Sequence, residues 1–207
     1  MSINMSLTQF LTFSTKVSTS AKINYIKEVK NDSDYHPAKD YWKPLRDEIK
    51  RIHENGLPIE TLDDLIERTT DEKKLKNYIA AVKTYKRFIN SNEVEYFQTG
   101  QSFWKLRDDL YVNASPEFGL SINGEPMLVK NNYKKRSTSN KIDKRNINAT
   151  LTLMQLAEKN FSVPDNQKYC VFNFQNGKVI ESSPLRSESI LELEMDAEFI
   201  LNIWNQV

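Results

Sequence analysis

Two sets of residues in this sequence carry chemistry by type and spacing. The first is basic: Lys130, Lys134, Lys135, Arg136, Lys141, Lys144 and Arg145 fall within sixteen residues, and Asp143 is the one acid among them. Lysine and arginine supply charge to phosphates, while the interleaved Asn, Ser and Thr add neutral hydrogen bonds. Each neutralised phosphate releases counterions, so such a contact weakens steeply with salt. The same composition also fits a solvated connection between two elements. Lys76, Lys83, Lys86 and Arg87 recur at helical spacing upstream and can extend the basic surface. The second set lies in "SPEFGLSINGEPMLVKNNYKK", where Glu117 follows Pro116 and Lys130 ends an apolar run. Glu117 reads either as a strand-entry carboxylate beside a proline bend or as a metal or acid–base group.

Other chemistry-bearing residues are sparse. His53 lies near a predicted helix C-terminus, where a cation is favourable, and reads as a capping residue. His36 sits among Asp32, Asp34 and Asp40 without metal-ligand spacing, which reads as solvated turn chemistry. Cys170 lies in an apolar run and reads as an inert buried thiol. Tyr41, Trp42, Phe103 and Trp104 offer a binding surface but bury large apolar areas and read first as core; Tyr133 is a lone candidate for base stacking. There is no Gly-rich phosphate loop, G-x-S-x-G or H-E-x-x-H.

Composition narrows the classes. The 207 residues are 39% hydrophobic and 28% charged, enough apolar material for a substantial core. The net charge of +1 gives no bulk attraction to nucleic acid, so a polyanion partner depends on local clustering. A single cysteine excludes an intrachain disulfide, and two histidines make a His-rich zinc site unfavourable. No apolar run is long enough to span a bilayer, and "MSINMSLTQFLTFSTKVSTSAK" lacks the basic start and apolar centre of a secretory leader. A soluble, cytoplasmic protein without a membrane partner is expected.

The elements that must position these residues follow from periodicity. Ala21–Lys30 reads as a short helix or packed arm. Trp42, Leu45, Ile49 and Ile52 share one helical face, with Asn55-Gly56 as its stop. Thr61 and Thr70 are candidate caps for two further helices. In the second of these, Leu75, Tyr78, Ile79, Val82, Tyr85 and Ile89 form an apolar stripe. The period then shortens: "EVEYFQTG", "LYVNASPEFGLSI" and "MLVKNNY" read as strands, with Asn123-Gly124 turning the last two. "SNKIDKRNINATLTLMQLAEKN" returns to helical spacing, "KYCVFNF" and "KVIESS" flank a "QNG" hairpin, and "SESILELEMDAEFILNIWNQV" closes with an amphipathic helix. The expected fold is α+β (mixed α/β) in one domain spanning 1–207. It has an N-terminal arm over 1–36, a helical part over 37–92 packed on a small mixed sheet, and a sheet-containing part over 93–207.

The αβββαβ order resembles the PD-(D/E)XK nuclease-like fold. That resemblance places an acid after a proline on the second strand and an acid-x-lysine triplet on the third. It implies two acids holding Mg²⁺ and a lysine that positions or activates water. Here Glu117 matches the first acid, as catalytic and metal-binding candidate, and Lys130 matches the lysine, but Leu128 stands where the second acid belongs. Glu125, three residues earlier at the turn, is a poor substitute by parity and distance. The sequence also resembles an uncharacterised bacterial protein family, through "PLRDEIKRIHENG", "KLKNY" and the Pro116–Gly124 element. The resulting expectation is a nucleic-acid-associated protein on a nuclease-like scaffold without a complete metal site and with no cofactor, contacting DNA or RNA. The alternatives are a protein-interaction module without a nucleic-acid role, and an active Mg²⁺-dependent nuclease.

Overall fold

The computed structural model describes residues 2–31, 40–133 and 144–207, with backbone alone over 144–146. The Ser- and Thr-rich start, expected as an arm with at most one helix, forms three elements. Strand β1 (Ile3–Ser6) runs into helix α1 (Leu7–Ser14), followed by α2 (Thr19–Asn31). Ser6 and Gln9 form a reciprocal capping box at α1, which satisfies donors the helix leaves open.

Helix α3 (Lys43–Glu54) starts with Pro44 in its first turn and ends before Gly56, whose φ of 58° a side chain would resist. After a 3-10 turn come α4 (Leu62–Arg68) and α5 (Glu72–Asn90). The caps differ from expectation. Thr61 makes no side-chain cap bond, and α5 is capped by Asp71, whose Oδ1 accepts from the amides of Lys73 and Lys74. The carboxylate wins this place because it also meets the positive end of the helix dipole. The α5 stripe is corrected at one residue: Ile79 is 47% exposed, while Ala81 and Phe88 turn inward.

Five strands follow: β2 (Val94–Phe97), β3 (Ser102–Leu106), β4 (Leu110–Asn113), β5 (Phe118–Ile122) and β6 (Glu125–Asn132). Helix α6 (Lys144–Leu156), the two-residue β7 (Glu158–Lys159), β8 (Lys168–Asn173), β9 (Lys178–Glu181) and α7 (Ser187–Trp204) complete the chain. The strands form two mixed sheets rather than one. One sheet runs β2-β5-β6-β8-β9, with β6–β8 parallel and its other pairs antiparallel. The other runs β1-β4-β3-β7, with β1–β4 parallel. The segment expected as one strand over Leu110–Ile122 therefore divides at Pro116 into β4 and β5, which serve different sheets. This is an α+β fold.

Alternation along the strands sets two cores. Phe118, Leu120, Ile122, Met127, Val129, Cys170 and Phe172 pack against α3, α4 and α5. Gly119, Leu128 and Tyr169 pair across the opposite face, where Val171 meets Ile147 and Leu151 of α6. Gly119 is required there, since a Cβ would lie 2.2 Å from the Phe97 ring. The second core joins β1, β3 and β4 to α1, α2, α6 and α7 through Phe10, Phe13, Trp104, Leu153 and Ile200. The two hairpins turn as expected: Asn123 and Gly124 both have positive φ, as does Gly177. Among the described residues, no helix is long and apolar enough to cross a membrane.

Candidate functional site

Glu117 enters β5 with its amide donating to the Val129 carbonyl at 2.8 Å, and continuing the strand register places it opposite Lys130. Its Oε2 accepts from Asn131 Nδ2 at 2.8 Å and, at the long limit of 3.5 Å, from the Tyr133 hydroxyl. Asn131 Nδ2 also donates to the Tyr133 oxygen at 3.0 Å. Lys130 is turned inward, its ammonium donating to the Ser115 carbonyl at 3.0 Å. Arg46, from the first turn of α3, supplies a second cation close enough to act on Glu117, and is itself held by Asp40 at 2.9 Å. Two acids and two bases thus meet where α3 covers the start of β5.

Burial governs their charge states. It pushes the Glu117 carboxyl above the usual carboxylate range, against the pull of Lys130, Arg46 and Asn131. Burial pushes the Lys130 ammonium down, against Glu117, and Arg46 adds to that lowering. The Tyr133 hydroxyl is pushed well up, by burial first and then by Glu117. One carboxylate already engaged by an amide and a hydroxyl makes a poor hard-cation site, since Mg²⁺ asks for near-octahedral oxygen ligands. Leu128, two residues before Lys130 and on its face of β6, is fully buried. Glu125 lies at the far end of β6 and pairs with Lys168 at 2.8 Å. Among the described residues no group of three or more His, Cys, Asp or Glu side chains converges.

An aromatic stack closes over this cluster. Trp42 stacks on Tyr133 (5.4 Å between centroids), Tyr133 on Phe174 (4.4 Å), and Phe174 on Tyr85 (5.4 Å). Tyr133 is therefore committed to the interior rather than offered to a nucleobase. Tyr85 meets His53 Nε2 at 2.6 Å, and His53 stacks on Tyr96. This corrects the capping role expected of His53. Asn55 ends α3, and the imidazole is packed inside, where burial lowers its pKa from 6.5 to about 4. Asn131 Oδ1 is buried without a partner among the described residues, beside an apolar space lined by Val129, Cys170 and Phe172 that holds no water-sized void. An orphan acceptor of this kind costs about 1–3 kcal/mol.

The remaining sequence candidates disperse. Lys134, Lys135, Arg136, Lys141 and His36 lie outside the described residues, as do the side chains of Lys144 and Arg145 at the start of α6. On α5, Lys86 is paired with Asp63 at 2.8 Å, while Lys76, Lys83 and Arg87 are exposed at the surface or nearly so. Trp104 belongs to the second core, and Cys170 is a free, fully buried thiol whose pKa burial pushes up to about 12. Arg46 and Asn131 were not singled out from the sequence. Arg46 did leave a signal, because a cation in a first helical turn opposes the dipole and needs a partner. Asn131 left none, because its role exists only once β6 lies beside Glu117. No protein-family model matches the chain, and no curated protein matches it.

Proposed function

We propose that the chain is a nucleic-acid-associated protein on a nuclease-like scaffold whose would-be catalytic centre serves as a structural lock. The five-stranded sheet supports the scaffold reading: with β3, β4 and β7 given over to the other sheet, α5, β2, β5, β6, α6 and β8 follow the order αβββαβ, the first three strands antiparallel and the fourth parallel to the third. The observation that carries the lock is Leu128. An apolar side chain, fully buried, stands on the face of Lys130 at the position where a second carboxylate is needed. Leu128 then offers Glu117 no carboxylate with which to share Mg²⁺, the nearby Asp40 is held by Arg46, and the hydrogen bonds of Glu117 go to Asn131 and Tyr133 instead. The nucleic-acid contact falls to the basic run after β6, where Lys134, Lys135, Arg136 and Lys141 stand against Asp143 and α6 then opens with Lys144 and Arg145. Lys130, bound to Ser115, takes no part in it.

The test combines binding and cleavage. Labelled duplex DNA, single-stranded DNA and RNA of mixed sequence are titrated with the full chain, then incubated with it in Mg²⁺. Salt-sensitive binding with no strand scission is expected. No binding at low salt overturns the nucleic-acid reading, whereas scission lost in Glu117→Gln and in EDTA shows that Leu128 does not disable the centre.

A further inference from the structure

The near-neutral chain hides a strong separation of charge on its two longest described helices. Helix α5, 19 residues long, carries six basic residues against Glu72 alone; α7, 18 residues long, carries five acids and no base. Each also exposes apolar side chains on its outward face. Ile79 of α5 is 47% exposed between Lys76 and Lys83, and Leu191 and Met195 of α7 are 55% and 64% exposed. On α7 the pair lies one turn apart, with Glu188 and Glu194 each three residues from Leu191. Lys76, Lys83 and Arg87 make no ion pair with a described residue, and neither do Glu188 and Glu194.

We propose that these two faces are the halves of one self-association contact, with the basic face of α5 on one copy seating the acidic, apolar-centred face of α7 on the next. The faces are complementary in sign, similar in length and each apolar at the middle. They are also held apart within one chain. Tyr78, Val82 and Tyr85 anchor α5 in the core of the five-stranded sheet, while Leu193, Ala197 and Ile200 anchor α7 in the other core. Polyanion binding would use the α5 lysines but would leave Leu191 and Met195 unexplained. The contact joins two different surfaces, so a pair held by one such contact still has one free face of each kind, and association can continue into rings or chains.

Sedimentation velocity on the full chain tests this, independently of any nucleic-acid binding. The weight-average sedimentation coefficient should rise with concentration at low salt and return to the monomer value near 1 M salt, where screening acts within about 3 Å. The reversals Lys76→Glu/Lys83→Glu/Arg87→Glu and Glu188→Lys/Glu194→Lys should each stay monomeric alone. Mixed together they should associate again, because one now presents two acidic faces and the other two basic ones. That rescue separates a lost contact from a lost fold. A wild-type chain that stays monomeric throughout, a reversal variant that associates as wild type does, or a mixture that fails to associate overturns the proposal. A monomeric wild type whose nucleic-acid binding is lost in the α5 reversal overturns it too, and gives that face to a polyanion.

Discussion

The buried imidazole of His53 makes stability depend on pH in a calculable way. Free in the unfolded chain it titrates near 6.5, but folded, burial holds it down to about 4. Between those values the unfolded chain binds a proton that the folded chain refuses, so stability is full above pH 6.5 and falls as the pH drops toward 4. At about 1.4 kcal/mol per pH unit, the interval is worth roughly 3 kcal/mol, of which roughly 2 kcal/mol is gone by pH 5. The structural cause is burial of the ring, which packs against Tyr85, Tyr96 and Phe118. Urea unfolding of wild type and His53→Gln at pH 7 and pH 5 isolates the effect, because other groups titrate in both proteins. The variant should be less stable at pH 7, and the gap should narrow by roughly 2 kcal/mol at pH 5. A gap of the same size at both values would refute the reasoning, since His53 would then titrate alike folded and unfolded.

Other perturbations follow from the same geometry. Leu128→Ala removes a fully buried side chain and should cost about 2–5 kcal/mol in denaturant unfolding. Asp71→Ala deprives two α5 amides of their acceptor and should cost about 1 kcal/mol, with loss of helical signal at the start of α5 by amide exchange. Cys170, buried and with its pKa pushed up to about 12, should resist a thiol reagent in the native chain at mildly alkaline pH and react once the chain is unfolded. Carbon-detected NMR should show the Glu117 carboxyl titrating above the range of the exposed glutamates, because burial outweighs Lys130 and Arg46.

Local signals in the sequence carried much of the fold. Helices α3, α5 and α7 announce themselves by period, and the Asn123-Gly124 and Asn176-Gly177 turns by residues that tolerate positive φ. Strand β1 was not legible, because its partner is β4, more than a hundred residues away, and a parallel ladder leaves no turn residue to mark it. The division of Leu110–Ile122 between two sheets was hidden for a related reason. Pro116 signals a break, but not that the flanking strands part company. Ile79 fits the spacing of the α5 stripe yet stays outside, since period alone does not set the stripe's edge. At the site, Glu117, Lys130 and the departure at Leu128 could all be read from types and spacing. The role of His53 could not, because Tyr85, Tyr96 and Phe118 reach it from three other elements.

The proposed function is that the basic run following β6 binds nucleic acid without the chain cutting it. The most direct measurement is the dependence of affinity for a short mixed-sequence duplex on salt, for wild type and for Lys134→Ala/Lys135→Ala/Arg136→Ala. If five or so phosphates are neutralised, log K should fall with log salt at a slope of about −4.5, and the triple variant should flatten it by about 2.7. A wild-type affinity that is absent, or a slope the triple variant leaves unchanged, would contradict the account.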